Sequence, residues 1–187
     1  MPSIATTRHL EVLLEDAAEL SEAHRRLRTG NRGRQWGLGA INRAAVVICV
    51  SAWEAYVEEV TREALEAIRP AALGQQAWDS IKAPAMAQIR HFNTPNAGNT
   101  KALLSSCVGL GDVTTDWYWR NCAAATAVRY LNAAITERHQ IAHGVNPRPR
   151  VPLARSSWLS SFFRNLARCT DRSVARHVVT LGYQAPW

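Results

Sequence analysis

One segment dominates what this chain can become. Residues 38–69 read LGAINRAAVVICVSAWEAYVEEVTREALEAIR and stop at Pro70. Val47, Val50, position 54 and Val57 recur at helical spacing on one face, and Cys49, Trp53, Tyr56 and Val60 on the next. A helix that is apolar on most of its sides needs neighbours on most of its sides, so this one is predicted to be the central helix of a bundle. Its longest apolar run, AAVVICVSAW at 44–53, is too short to span a bilayer.

The rest of the chain supplies those neighbours. Leu10, Leu13, Leu14, Ala17, Leu20 and Leu27 predict a first helix over about 5–28, which GNRGRQWG at 30–37 breaks with glycines. Shorter helices are predicted near 75–92 and 99–108, separated by the loop chemistry of NTPNAG. GDVTTDWYW then leads into a helix over about 116–143, with Gly144 just past its end and Pro147 and Pro149 preventing its resumption. PRPRVP is a stiff connector, and a last helix covers about 153–181. Strand-like alternation is almost absent. The expectation is an all-α, antiparallel bundle of four to six helices forming a single domain over 1–187. Within it, 1–37 is the N-terminal helix and glycine-rich loop, 38–143 the core with its last helix, 144–152 the connector and 153–187 a basic C-terminal helix.

Charge narrows the partners. The chain carries a net charge of +7, almost all of the positive charge being arginine. A basic surface attracts polyanions, of which nucleic acid is the usual one. Cys49, Cys107, Cys122 and Cys169 form no CxxC pair and read as buried free thiols of a reducing compartment. With no secretory signal read at the start, the expected location is cytoplasmic, away from any membrane.

The stretch ITERHQIAHG at 135–144 breaks the pattern. The apolar stripe of its helix runs through Ala124, Ala127, Val128, Leu131, Ala134 and Ile135, and its next position, 138, is arginine. Such local violations tend to mark sites. Glu54, inside AWEAY on the central helix, is a candidate buried carboxylate, and the economical arrangement pairs it with Arg138. His143 lies about 140° around an ideal helix from Arg138. Unwinding of the last turn before Gly144 would bring the two together. There the helix dipole favours protonated imidazole while the arginine opposes it, a balance suited to proton transfer. A histidine that merely caps terminal carbonyls is the plainer alternative.

Arg138-His-Gln-Ile-Ala-His143 resembles the R-x4-6-H motif of the HEPN superfamily, helical proteins that include many prokaryotic ribonuclease toxins. Within it the chain is most similar to the RiboL-PSP-HEPN type, where a motif close to RNxIAHG ends a long helix and an earlier helix carries a W-E-x-Y/F-like segment. The corresponding words here are RHQIAHG at 138–144 and AWEAY at 52–56, and GLGDVTTDW at 109–117 resembles the approach to the motif helix. A second match, Arg172 to His177, lacks the helix-ending glycine and lies inside the final helix. His139 stands where the closest relatives usually have asparagine.

The resemblance implies a metal-independent endoribonuclease that works as a homodimer without a cofactor. It places Arg138, His143 and His139 in catalysis, with Glu54, Trp53, Tyr56 and Gly144 in support. It also implies a prokaryotic toxin or anti-phage setting with a cognate antitoxin or defence-system partner. The alternative it leaves is an inactive HEPN-type module that binds RNA, a nucleotide or a protein; a third reading is an unrelated basic helical protein. His139 and His143 have the spacing of two zinc ligands, but no HExxH glutamate and no third ligand accompany them, so no metal site is assigned.

Arg164, Arg168, Arg172 and Arg176 recur every four residues as a basic ridge, a candidate RNA contact. The competing expectation is internal pairing with the acidic ridge of Glu11, Glu15, Glu19 and Glu22. Trp36, Trp117, Trp119 and Trp158 could stack on bases, though core or interface duty accounts for tryptophans equally well.

Overall fold

The computed structural model describes residues 1–29, 37–144 and 149–187. Among them are six α-helices: α1 (Glu11–Leu27), α2 (Leu38–Ala67), α3 (Gln75–Arg90), α4 (Ala97–Val108), α5 (Ala124–Ala142) and α6 (Ala154–Thr180). A π-helical segment, Ala5–Leu10, runs straight into α1, and a 3-10 turn, Val113–Asp116, precedes α5. No strand occurs among the described residues. The architecture is the expected all-α bundle.

α2 is its axis. Thirteen of its residues, from Asn42 to Leu65, are buried, and they face α1, α4, α5 and α6 in turn. By length and composition α2 could cross a membrane, but here neighbouring helices cover its apolar sides. Trp53 sits at the centre, wholly buried. Its indole stacks on Tyr56 (5.2 Å between ring centres) and Phe163 (5.9 Å) and meets the edge of Trp117 (6.0 Å). Each polar tip in this aromatic core finds a partner, as burial demands. Trp53 donates to the Pro95 carbonyl at 3.0 Å, and Trp117 to the Thr170 hydroxyl at 3.0 Å.

A carboxylate also lies inside. Asp171 of α6 is buried and surrounded by donors: the Tyr56 hydroxyl (2.8 Å), the Ser3 amide (3.1 Å) and hydroxyl (2.9 Å), and the Thr6 hydroxyl (3.0 Å). Four hydrogen bonds offset the cost of removing the charge from water. They fasten the N-terminal segment and α2 to the middle of α6. Glu63 adds a second clamp, accepting from the Ile4 amide at 3.1 Å and from the Ala5 amide at 2.5 Å.

One helix differs from expectation. The segment 116–123 does not belong to α5, which starts at Ala124. The Asp112 side chain caps the preceding turn by accepting from the Thr114 amide, and Trp119 and Cys122 exchange two backbone hydrogen bonds around Asn121, whose φ is +68°. The tight loop lets Trp117 turn inward to Thr170. Of the expected connector, 145–148 lie outside the described residues, as does Trp36; Val151, just before α6, accepts from the buried Asn42 side chain at 2.8 Å.

Candidate active site

The end of α5 is positioned from both sides. Its buried stripe of Ala127, Leu131 and Ala134 packs inward, and helical geometry carries the same direction on to position 138. Arg138 therefore points toward α2 and is half-buried. Its Nε is shielded from solvent and has no hydrogen-bond acceptor among the described residues. On the neighbouring flank, Glu137 binds Arg155 of α6 at 2.7 Å, which ties the last turns of α5 to the first turn of α6.

Glu54 of α2, also half-buried, lies within electrostatic reach of Arg138. Burial pushes its carboxyl above the ordinary range, the Arg138 charge pulls it down, and Glu58 pushes it up again. The pair is open: no ion pair joins Glu54 to Arg138 among the described residues. Arg62 takes Glu58 at 3.1 Å and Glu59 at 2.7 Å, so Glu54 is the carboxylate of this acidic cluster left facing α5.

The two histidines occupy the opposite side of the helix end. The rings of His139 and His143 lie 4.1 Å apart at 44°, and both residues are exposed. The expected unwinding of the last turn does not occur. The His143 amide still donates to the His139 carbonyl at 2.9 Å, so the last turn stays closed, with His143 as the residue that caps α5. The break falls one residue later, at Gly144, whose φ of +64° is left-handed and whose amide reaches back to the Ile141 carbonyl at 3.4 Å. This is the terminal geometry that glycine accepts at no steric cost. Within one chain, His143 thus lies against His139, and Arg138 lies within electrostatic reach of Glu54 without pairing with it. No hydrogen bond, ion pair or ring contact links Arg138 to His143 among the described residues.

Trp53 and Tyr56 are placed in the core, where their contacts shape α2 and cannot reach a solvent-borne substrate. Burial and then the neighbouring Asp171 charge raise the Tyr56 hydroxyl well above its usual range, so it stays protonated as a donor. His177, of the second motif match, is committed to the Val108 carbonyl at 2.9 Å inside the bundle.

The arginine ridge divides. Arg164 binds Glu11 of α1 at 2.8 Å, and Arg176 approaches Asp116 at 3.5 Å. Arg168 bonds to Asn165 at 2.6 Å, and Arg172 leans on the Cys169 sulfur at 3.3 Å. Of the acidic ridge, Glu11 reaches α6, whereas Glu22 is occupied by Arg25 and Arg26 of its own helix. Trp117 is core, Trp119 half-buried, and Trp158 exposed at the surface between Arg155 and Phe162.

Sequence reasoning missed two features. Glu137–Arg155 is a contact between helices whose facing could not be read before their register was known. Asp171 continues the apolar stripe of Phe163, Ala167, Val174 and Val178 at helical spacing, the same local sign that singled out Arg138, and went unread beside the arginine ridge.

Neither the curated proteins nor the solved structures include a match to the chain. The family model described as RiboL-PSP-HEPN matches residues 11–176, which takes in α1 to α5 whole and α6 as far as Arg176, with the AWEAY segment and the motif at the end of α5. The chain is a member of the RiboL-PSP-HEPN family and has its helical, HEPN-type domain.

Proposed function

We propose that the protein is a metal-independent endoribonuclease whose reaction centre is the end of α5. The observation that supports this most is the set of chemistries at that helix end: two adjacent exposed imidazoles, and an inward-turned arginine that keeps a buried donor unused. RNA cleavage by internal transfer needs those groups. His143 takes the proton of a 2′-hydroxyl, and the 2′-oxygen attacks the adjoining phosphorus. As that bond forms, the bond from phosphorus to the 5′-oxygen breaks, and protonated His139 gives its proton to the departing oxygen. Arg138 offsets the negative charge that builds on the phosphoryl oxygens, its forked donors suited to a phosphate. Glu54, within electrostatic reach, draws the Arg138 charge toward α2 as a positioning residue.

Because Arg138 and His143 face different ways in one chain, we assign the complete centre to a homodimer, in which two α5 ends share a cleft. A prokaryotic toxin or anti-phage role, a cytoplasmic setting and an antitoxin or defence-system partner complete the proposal.

End-group analysis of RNA treated with the purified protein tests it. The expected products carry 2′,3′-cyclic phosphates and 5′-hydroxyls, form undiminished in EDTA, and disappear with Arg138→Ala or His143→Ala. DNA, which lacks the attacking hydroxyl, should survive; its cleavage at a similar rate would remove the mechanism. The same divergence of Arg138 and His143 favours a second reading, an RNA-binding module without chemistry. That reading predicts binding by wild type and both variants, and intact RNA throughout.

A further inference from the structure

Away from α5, the N-terminal segment and the far end of the chain meet α6 around a cleft of about 570 Å³. That volume lies in the range of small-molecule sites. Its walls differ in character. Met1, Pro2 and the half-buried Trp187 give an apolar side, and Arg164, Arg168 and Arg172 give a cationic one.

The three arginines are not equivalent. Glu11 neutralises Arg164, whereas no carboxylate lies within ion-pair distance of Arg168 or Arg172 among the described residues. Asn165 accepts from one Nη2 of Arg168 and so fixes the direction of its guanidinium. Asp171 also lines the cleft, but its oxygens are filled by donors from Ser3, Thr6 and Tyr56. It contributes a floor and pairs with neither guanidinium, so Arg168 keeps only its Asn165 contact and Arg172 only its contact with the Cys169 sulfur, both neutral.

Two forked cations one helical turn apart suit a group with several oxygens and close to two negative charges, which a phosphomonoester is at neutral pH. A carboxylate would use one fork and leave the other unmatched. The indole of Trp187 on the other wall suits a flat ring. We propose that this cleft binds a phosphorylated ring compound the size of a nucleoside monophosphate, its phosphate on Arg168 and Arg172 and its ring along Trp187. The site is separate from Arg138 and His143 and does not depend on their activity.

Isothermal titration of the full chain with adenosine 5′-monophosphate, inorganic phosphate and adenosine tests this. The monophosphate should bind at least tenfold more tightly than either part alone. The Arg168→Ala/Arg172→Ala pair should weaken it tenfold or more while leaving the melting temperature unchanged. Arg172→Gln, which keeps the side chain's length, should weaken it in the same direction. Trp187→Leu should reduce the monophosphate to the level of inorganic phosphate, and Arg138→Ala should change nothing. Equal affinity for monophosphate and phosphate, full binding by the double variant, or loss of binding in Arg138→Ala would each overturn the assignment.

Discussion

The imidazoles of His139 and His143 lie 4.1 Å apart at the exposed end of α5, while Arg138, one residue from the first of them, turns inward toward Glu54. The exposed imidazoles and the inward-turned arginine thus occupy different faces of one helical turn. Bringing them onto one substrate requires a surface that this turn does not provide alone.

The first prediction follows from that division. Arg138→Ala and His143→Ala should each lower RNA cleavage by about 10²-fold or more, the scale of a lost proton-transfer or charge-stabilising group. His143 is exposed, so its variant should melt within a degree or two of wild type. His139→Asn should retain part of the activity, since it removes one proton-transfer group of two. Initial rates on a fluorescent oligoribonucleotide, together with melting curves, check all three.

Glu54 sets a pH dependence. Its folded carboxyl lies above the ordinary value of 4.5, chiefly through burial, so between that value and its folded pKa the native chain holds more proton than the unfolded one. Stability contributed by the protonated group is therefore present at low pH and declines as pH rises through this window. Glu54→Gln should flatten that part of the stability profile. Arg138→Ala removes the charge that lowers the pKa, so the decline should extend to higher pH. Urea denaturation from pH 4 to 8 reads both effects; parallel profiles for wild type and Glu54→Gln would reject the assignment.

The buried carboxylate of α6 governs folding stability more than any residue at the helix end. Asp171→Ala leaves the Tyr56, Ser3 and Thr6 donors without their acceptor, and should cost about 3–5 kcal/mol, the scale for breaking a buried charged network. Tyr56→Phe removes one of the four donors and should cost about 1–3 kcal/mol. Chemical denaturation measures each.

Thiol chemistry offers a further test. Burial pushes the Cys49 thiol up to about 11 and raises Cys107 as well. The reactive species is the thiolate, so at pH 8 Cys49 holds it at only about one part in a thousand. Ellman's reagent should leave Cys49 unmodified in the native protein and label it once guanidinium unfolds the chain. Rapid native labelling at Cys49 would contradict its burial.

Much of the bundle was legible because helical periodicity is a local property. The central place of α2 followed from Val47, Val50, Cys49, Trp53 and Val57 covering most of its circumference, and the end of α5 from Gly144. The site was legible in part. Arg138 on an apolar stripe announced an inward charge, and Glu54 a candidate companion. What escaped was the last turn, because whether a helix ends before or after His143 depends on where the left-handed residue falls by a single position. The 3-10 turn and tight loop before α5 escaped for a different reason. Their backbone is set by Trp117 reaching Thr170, 53 positions away in sequence, and no window of neighbouring residues contains that information.

The bonds from Ser3 and Thr6 to Asp171 span 168 and 165 positions. A ribosome releases the amino end first, so Ser3 and Thr6 wait without their acceptor until Asp171 has been made. The bundle cannot lock from its beginning; it closes from its finish. Nascent fragments stalled before α6 would leave the aromatic centre uncovered on the side that Phe163 fills.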